Sequence, residues 1–162
     1  MGPLWRSSVA LLDAVNVLLL RELVADPRIT VAALARKIGM SAPAVAERFL
    51  RLQESGVIAG FRLELEPKAL GLPVAAYVRV RPGPGQLLKI AELAQRTPQV
   101  VECHRITGED CFLMKVHVGA IDQLEAVLDS FLAFGQTTTS IVQSSPVPAR
   151  SLPLPMPEPT GP

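Results

Sequence analysis

Between Thr30 and Ile58 apolar residues return every three or four positions, in two short runs parted by Gly39-Met40-Ser41. The first run puts Val31, Leu34, Ala35 and Ile38 on one helix face behind Thr30 as N-cap. Gly39 supplies the backbone freedom that ends this helix. The second run has Ser41 as cap, Pro43 in its first turn, and Val45, Phe49 and Leu52 at i, i+4 and i+7. Gly56 stops it, and Val57 to Leu65 reads as extended. Upstream, Leu12, Val15, Leu19 and Leu23 keep helical spacing from Leu11 to Val24, with Asp13 in the first turn and a break at Asp26-Pro27-Arg28. Three helices follow, the last two joined by a tight glycine-containing turn, which is the helix-turn-helix arrangement.

Past Pro67, Gly71 and Pro73 the period changes from helical to alternating. Val74, Ala76, Val78 and Val80 alternate with Ala75, Tyr77, Arg79 and Arg81, predicting a strand with one buried face. A PGPG turn at Pro82–Gly85 leads to a helix over Leu87–Ala94 that ends near Thr97-Pro98. Two strands, Val100–Thr107 and Cys111–Val118, meet at a turn containing Gly108; a helix over Ile121–Phe131 and a strand over about Thr138–Ser144 complete the pattern. The order β-α-β-β-α-β predicts a ferredoxin-like antiparallel sheet with both helices on one face. The other face then needs a partner, which points to a homodimer. The fold class is thus α+β: an N-terminal helix-turn-helix (winged-helix-like) domain and a C-terminal ferredoxin-like βαββαβ domain. The expected boundaries are 1–60, a linker over 61–72, a second domain over 73–145 and a tail over 146–162. Seven of the fifteen prolines fall in that tail, which reads as flexible, partly polyproline II and solvated.

Composition alters this picture little. With 49% hydrophobic and 19% charged residues the chain is globular, and 162 residues can hold two small cores. A net charge of +1 gives no general attraction to nucleic acid, so any DNA contact needs a local patch. Residues 1–60 hold seven Arg/Lys against five Asp/Glu, while residues 61–162 hold nine against ten. No secretory signal or membrane span is expected: Val9–Leu20 is interrupted by Asp13 and Asn16. Cys103 and Cys111 are expected to be buried free thiols of a cytoplasmic protein. With His104 and His117 they match no zinc spacing, so neither metal nor cofactor is expected.

The polar side of the second short helix carries Ala44, Glu47, Arg48 and Arg51. Small residues at its start, Ser41, Ala42, Pro43 and Ala44, would let that end approach base edges in a major groove. Glu47 could accept from a cytosine amino group or only fix register; Ser41 could touch a base or only cap. Arg48 and Arg51 reach toward phosphate, although Arg48 could instead pair with an acid on the first helix; Arg28 and Lys37 are further backbone contacts. An ordinary helical hairpin with a solvated charged face gives the same spacing.

In order along the chain, these pieces resemble the Lrp/AsnC (feast/famine) transcriptional regulators from about Leu11 to Ser144. Leu12-Asp13-x-x-Asn16-x-x-Leu19 is similar to the family's L-D-x-x-D-x-x-L, with Asn16 in place of the second Asp. Asp26-Pro27-Arg28-Ile29-Thr30 is similar to D-G-R-I-S, and Leu34-Ala35 with Ile38-Gly39-Met40-Ser41 to L-A-x-x-V-G-L-S. Val45, Arg48, Leu52, Gly56, Val57, Ile58 and Gly60 fall on the motif that closes the DNA-binding half, and Leu70-Gly71 and Thr107-Gly108 on later family positions. Cys111 stands where the family's T-G-x-x-D has its acid, beside Glu109 and Asp110.

The resemblance implies a cytoplasmic regulator, not an enzyme, that binds double-stranded DNA, dimerises through its C-terminal domain and commonly assembles to octamers. It also implies an amino-acid effector between dimers near the hairpin loops. Gly108, Glu109, Asp110 and Cys111 would supply loop amides and acceptors there, and Thr137, Thr138 and Thr139 a hydroxyl wall; a plain hairpin and strand end is the bland alternative. Two other classes fit the same architecture: a ligand-independent protein that compacts DNA, and an enzyme resembling the siroheme decarboxylases, for which only His104 and His117 offer proton donors.

Overall fold

The computed structural model describes residues 11–155. They form two compact units: residues 11–63 together with 149–155, and residues 64–148.

In the first unit, helix α1 spans Ala14–Ala25, α2 spans Val31–Ile38 and α3 spans Ala42–Glu54. Each starts where the sequence offers a cap. Asp13 accepts from the Asn16 amide at 2.7 Å, and Thr30 Oγ1 accepts from the Ala33 amide at 3.2 Å. Gly39, at φ 70°, ends α2 in the left-handed conformation that a side chain would strain. The three helices close over Leu19, Leu20, Leu23, Leu34, Ala35, Val45 and Leu52. Phe49 is half-buried at the edge of this cluster, with its ring centroid 6.2 Å from that of Phe61.

The extended reading of Val57–Leu65 produces no β-ladder among the described residues. Residues 59–66 are irregular, and Phe61, Leu63 and Leu65 are exposed. The tail also departs from expectation. Leu152 is 85% exposed, but Leu154 packs against the three-helix cluster instead of staying in solvent.

The second unit opens with a short 3-10 turn, Pro67–Leu70, inside what reads in the sequence as a linker. Strand β1 (Val74–Pro82), helix α4 (Leu87–Arg96), strands β2 (Val100–Arg105) and β3 (Phe112–Val118), helix α5 (Ile121–Leu132) and strand β4 (Gly135–Ile141) follow. The last strand starts three residues earlier than its sequence reading because Gly135 already pairs with Pro82. The sheet order is β2-β3-β1-β4, all neighbours antiparallel. One face is dry: Ala76, Val78 and Val80 of β1 and Phe112, Met114, Val116 and Val118 of β3 pack with Ile90 and Ala94 of α4 and Leu124, Val127 and Phe131 of α5. The other face carries exposed Tyr77, Arg79 and Arg81 and half-buried Leu113, Lys115 and His117. Both cysteines are free, but they are not the buried pair expected: Cys103 is exposed on edge strand β2, and Cys111 is half-buried.

Candidate nucleic-acid interface and effector site

Helix α3 is seated by Val45 and Leu52, both fully buried, and this fixes which of its sides is outward. Ala44 and Arg48 are half-buried; Ala42, Pro43, Ala46, Glu47, Leu50, Arg51, Gln53 and Glu54 are exposed. The outward stripe is therefore Pro43, Ala46, Glu47 and Leu50, turned by about one residue from the stripe that charge alone suggests. Sequence reading leaves out Ala46 and Leu50 for that reason: an apolar residue at an outward position carries no polar signal.

Arg48 is half-buried and engaged within the unit. Its Nη1 donates to Asp13 Oδ2 at 2.7 Å and to Asn16 Oδ1 at 3.0 Å, so it fastens α3 to the start of α1. Asn16 is 5% exposed, and its Nδ2 donates to the Leu11 carbonyl oxygen at 2.7 Å. A carboxylate at this position could accept from Arg48 but could not donate to Leu11. Partial burial works to raise the Asp13 carboxyl pKa. The Arg48 side chain and the Asn16 and Val15 amides outweigh it and hold the group below the usual carboxylate range.

A lowered folded pKa adds stability that is complete above the unfolded value of about 3.9 and is lost as pH falls through the folded value. Arg48→Ala should therefore cost about 1 kcal/mol at pH 7, modest because the pair is partly solvated. That cost should shrink below about pH 4. Urea titrations of parent and variant at pH 7 and pH 3 check this, and an equal gap at both would place the loss elsewhere than in the ion pair.

The other proposed backbone contacts are partly engaged. Arg51 pairs with Glu47 one turn away, so these two outward charges offset each other. Lys37 Nζ lies 2.5 Å from Glu22 Oε2. Arg28 and Arg36 are exposed and have no carboxylate partner among the described residues. Arg36, on the polar side of α2, belongs with the phosphate candidates, and helical position alone could have found it. Ser41 occupies the N-cap of α3, yet its side chain makes no cap bond, unlike the Asp13 carboxylate and the Thr30 hydroxyl.

In the second unit the β2–β3 loop folds back on the open sheet face. Arg79 Nε lies 3.8 Å from Asp110 Oδ2, Arg81 Nε lies 3.6 Å from Asp110 Oδ1, and Arg81 also pairs with Glu109. Gly108 turns the loop at φ 105°, and Cys111 Sγ approaches the Gly108 and Glu109 carbonyl oxygens, both at 3.7 Å. The two acids are thus not bare acceptors. They form a cluster with two guanidiniums that the alternation of β1 put on this face, although sequence reading did not assign those arginines to the site.

Thr138 stands opposite Arg79 in the β1–β4 register and is exposed. Thr137 and Thr139 stand opposite Val80 and Val78, whose side chains are buried under the helices. Successive strand residues face opposite ways, so three consecutive threonines cannot form one wall. The hydroxyl and amide groups beside Arg79 are those of Gln136, Thr138 and Ser140. Among the described residues no group of three His, Cys, Asp or Glu is placed to hold a metal ion, and no helix is long and apolar enough to cross a membrane.

Comparison with known proteins follows the same division. The AsnC-type helix-turn-helix domain matches residues 12–53, and the Lrp/AsnC ligand binding domain matches residues 75–152. The HTH-type transcriptional regulator LrpC of Bacillus subtilis is 30% identical over 133 residues, 82% of this chain and 92% of that protein. Its structure superposes with a TM-score of 0.79. A feast or famine regulatory protein from M. tuberculosis, solved in complex with L-methionine, is 29% identical with a TM-score of 0.81 and covers 89% of this chain and 99% of that one.

Proposed function

The chain belongs to the Lrp/AsnC family of transcriptional regulators, and we propose that it binds its operators through the outward stripe of α3 and tunes that binding with an amino acid held at the 108–110 loop. The observation that carries the reading is the seating of α3. Val45 and Leu52 fix the helix from behind, Arg48 ties it to α1, and its outer side offers small and polar side chains and the exposed Leu50 to a groove. Arg28, Arg36 and Arg51 supply phosphate contacts, while Glu47 and Gln53 are the polar groups able to meet base edges.

The loop cluster suits a zwitterion. Arg79 and Arg81 attract a carboxylate, Glu109 and Asp110 attract an ammonium, and Thr138 adds a hydroxyl. The L-methionine complex of the relative supports that ligand class. The open sheet face, with Tyr77 exposed and Leu113 half-buried, serves as the homodimer surface, from which larger assemblies up to an octamer can grow. The site of action is the cytoplasm.

One titration tests this reading: fluorescence anisotropy on the protein's own promoter duplex and on a scrambled one, across a salt series, with and without each amino acid. The expected result is preference for the promoter, altered by at least one amino acid. Arg36→Ala, which removes a cation with no carboxylate partner among the described residues, should weaken binding to both duplexes and reduce the salt slope by about 1. Equal affinity for both duplexes under every condition would leave only a DNA-compacting role, and no binding to either would remove DNA from the account.

A further inference from the structure

We propose that the chain's own segment Ser151–Pro155 is a strap that docks, through Leu154, in an apolar groove of the three-helix unit. The strap and Leu12, Leu20, Leu23, Val57, Ile58 and Phe61 of the groove border an apolar cavity of about 540 Å³ between them. Leu154 packs against the helical core, whereas Leu152 is 85% exposed, so one leucine of the pair is the anchor and the other is not.

The composition of the strap suits this contact. Pro153 and Pro155 flank the anchor and carry no N–H, so the segment can lie on apolar surface with few backbone donors to desolvate. Their fixed φ also narrows the unbound ensemble, which lowers the ordering cost of docking. The groove is the edge where α1 meets the segment leaving α3. Here the Ile58 amide donates to the Leu52 carbonyl oxygen at 2.9 Å, and Ile58 itself lines the groove. The strap therefore closes the DNA-binding unit with residues that arrive after the whole second unit, 64–148, has been made. Docking stands apart from the regulator reading, since it requires neither an effector nor a duplex.

Amide hydrogen exchange of the full chain tests the proposal. Leu154→Asp should speed exchange at the Ile58 amide by about fivefold, while Leu152→Asp leaves it unchanged. A chain ending at Pro148 should exchange as the Leu154→Asp variant does, and a synthetic peptide of residues 149–155 should restore its protection. Equal exchange in the two aspartate variants, or a truncated chain that exchanges like the parent, overturns the strap. Isotope-filtered spectra of protein refolded from equal parts labelled and unlabelled chain identify the occupant. Contacts from Leu154 methyls to core methyls within one chain are expected, and contacts only between chains would assign the groove to a second copy and overturn the proposal.

Discussion

A Gly135→Ala variant loses about 3 kcal/mol from the unfolding free energy of the second unit. Gly135 opens β4 opposite Pro82, and a Cβ there would stand 2.2 Å from the Arg81 carbonyl oxygen and 3.0 Å from its carbon. Both obstacles are backbone, so no rotamer change relieves them, and β1 and β4 must move apart. Just beyond, the Gly83 amide donates to the Phe134 carbonyl oxygen at 2.8 Å, and this bond would be disturbed first. Because Arg79 and Arg81 lie on the strand that shifts, amino-acid binding should weaken with stability. A urea midpoint within about 0.5 kcal/mol of the parent would mean that the strands separate at no cost, contrary to the close approach seen at this corner.

Leu52→Ala costs about 3 kcal/mol in the first unit and removes DNA binding at growth temperature. Leu52 is fully buried in the cluster that joins all three helices, so its truncation leaves a void at their common contact. It also unseats α3 from its buried side. Exchange-resolved mass spectrometry should show loss of protection over residues 14–58 with little change over 74–141. Retained promoter affinity, or uniform loss across both units, would contradict the separation of the two cores.

Much of this architecture was legible because period and punctuation agree. Val45 and Leu52 marked the inner side of α3, Gly39 its preceding turn, and the alternation from Val74 to Arg81 a strand with one dry face. What stayed hidden depends on contacts distant in sequence. The destination of Arg48 is settled by Asp13 and Asn16, more than thirty residues upstream, and spacing along α3 cannot distinguish that pair from a phosphate. Arg79 and Arg81 looked like routine solvent-facing strand residues until the loop acids folded onto them. The run of three threonines invited a continuous surface that the pleat divides. Proline content suggested a loose end, and nothing local could announce the destination of Leu154.

The pairing of Glu47 with Arg51, and of Glu22 with Lys37, has a consequence for how such a protein searches a chromosome. A reading head in which Arg51 and Lys37 are offset by carboxylates, leaving Arg28 and Arg36 to meet phosphate, displaces fewer condensed ions from arbitrary sequence than its count of cations suggests, so it detaches sooner from wrong addresses. Because a genome offers on the order of a million or more such decoys per true target, weak retention on each keeps copies free in solution to find the rare correct one.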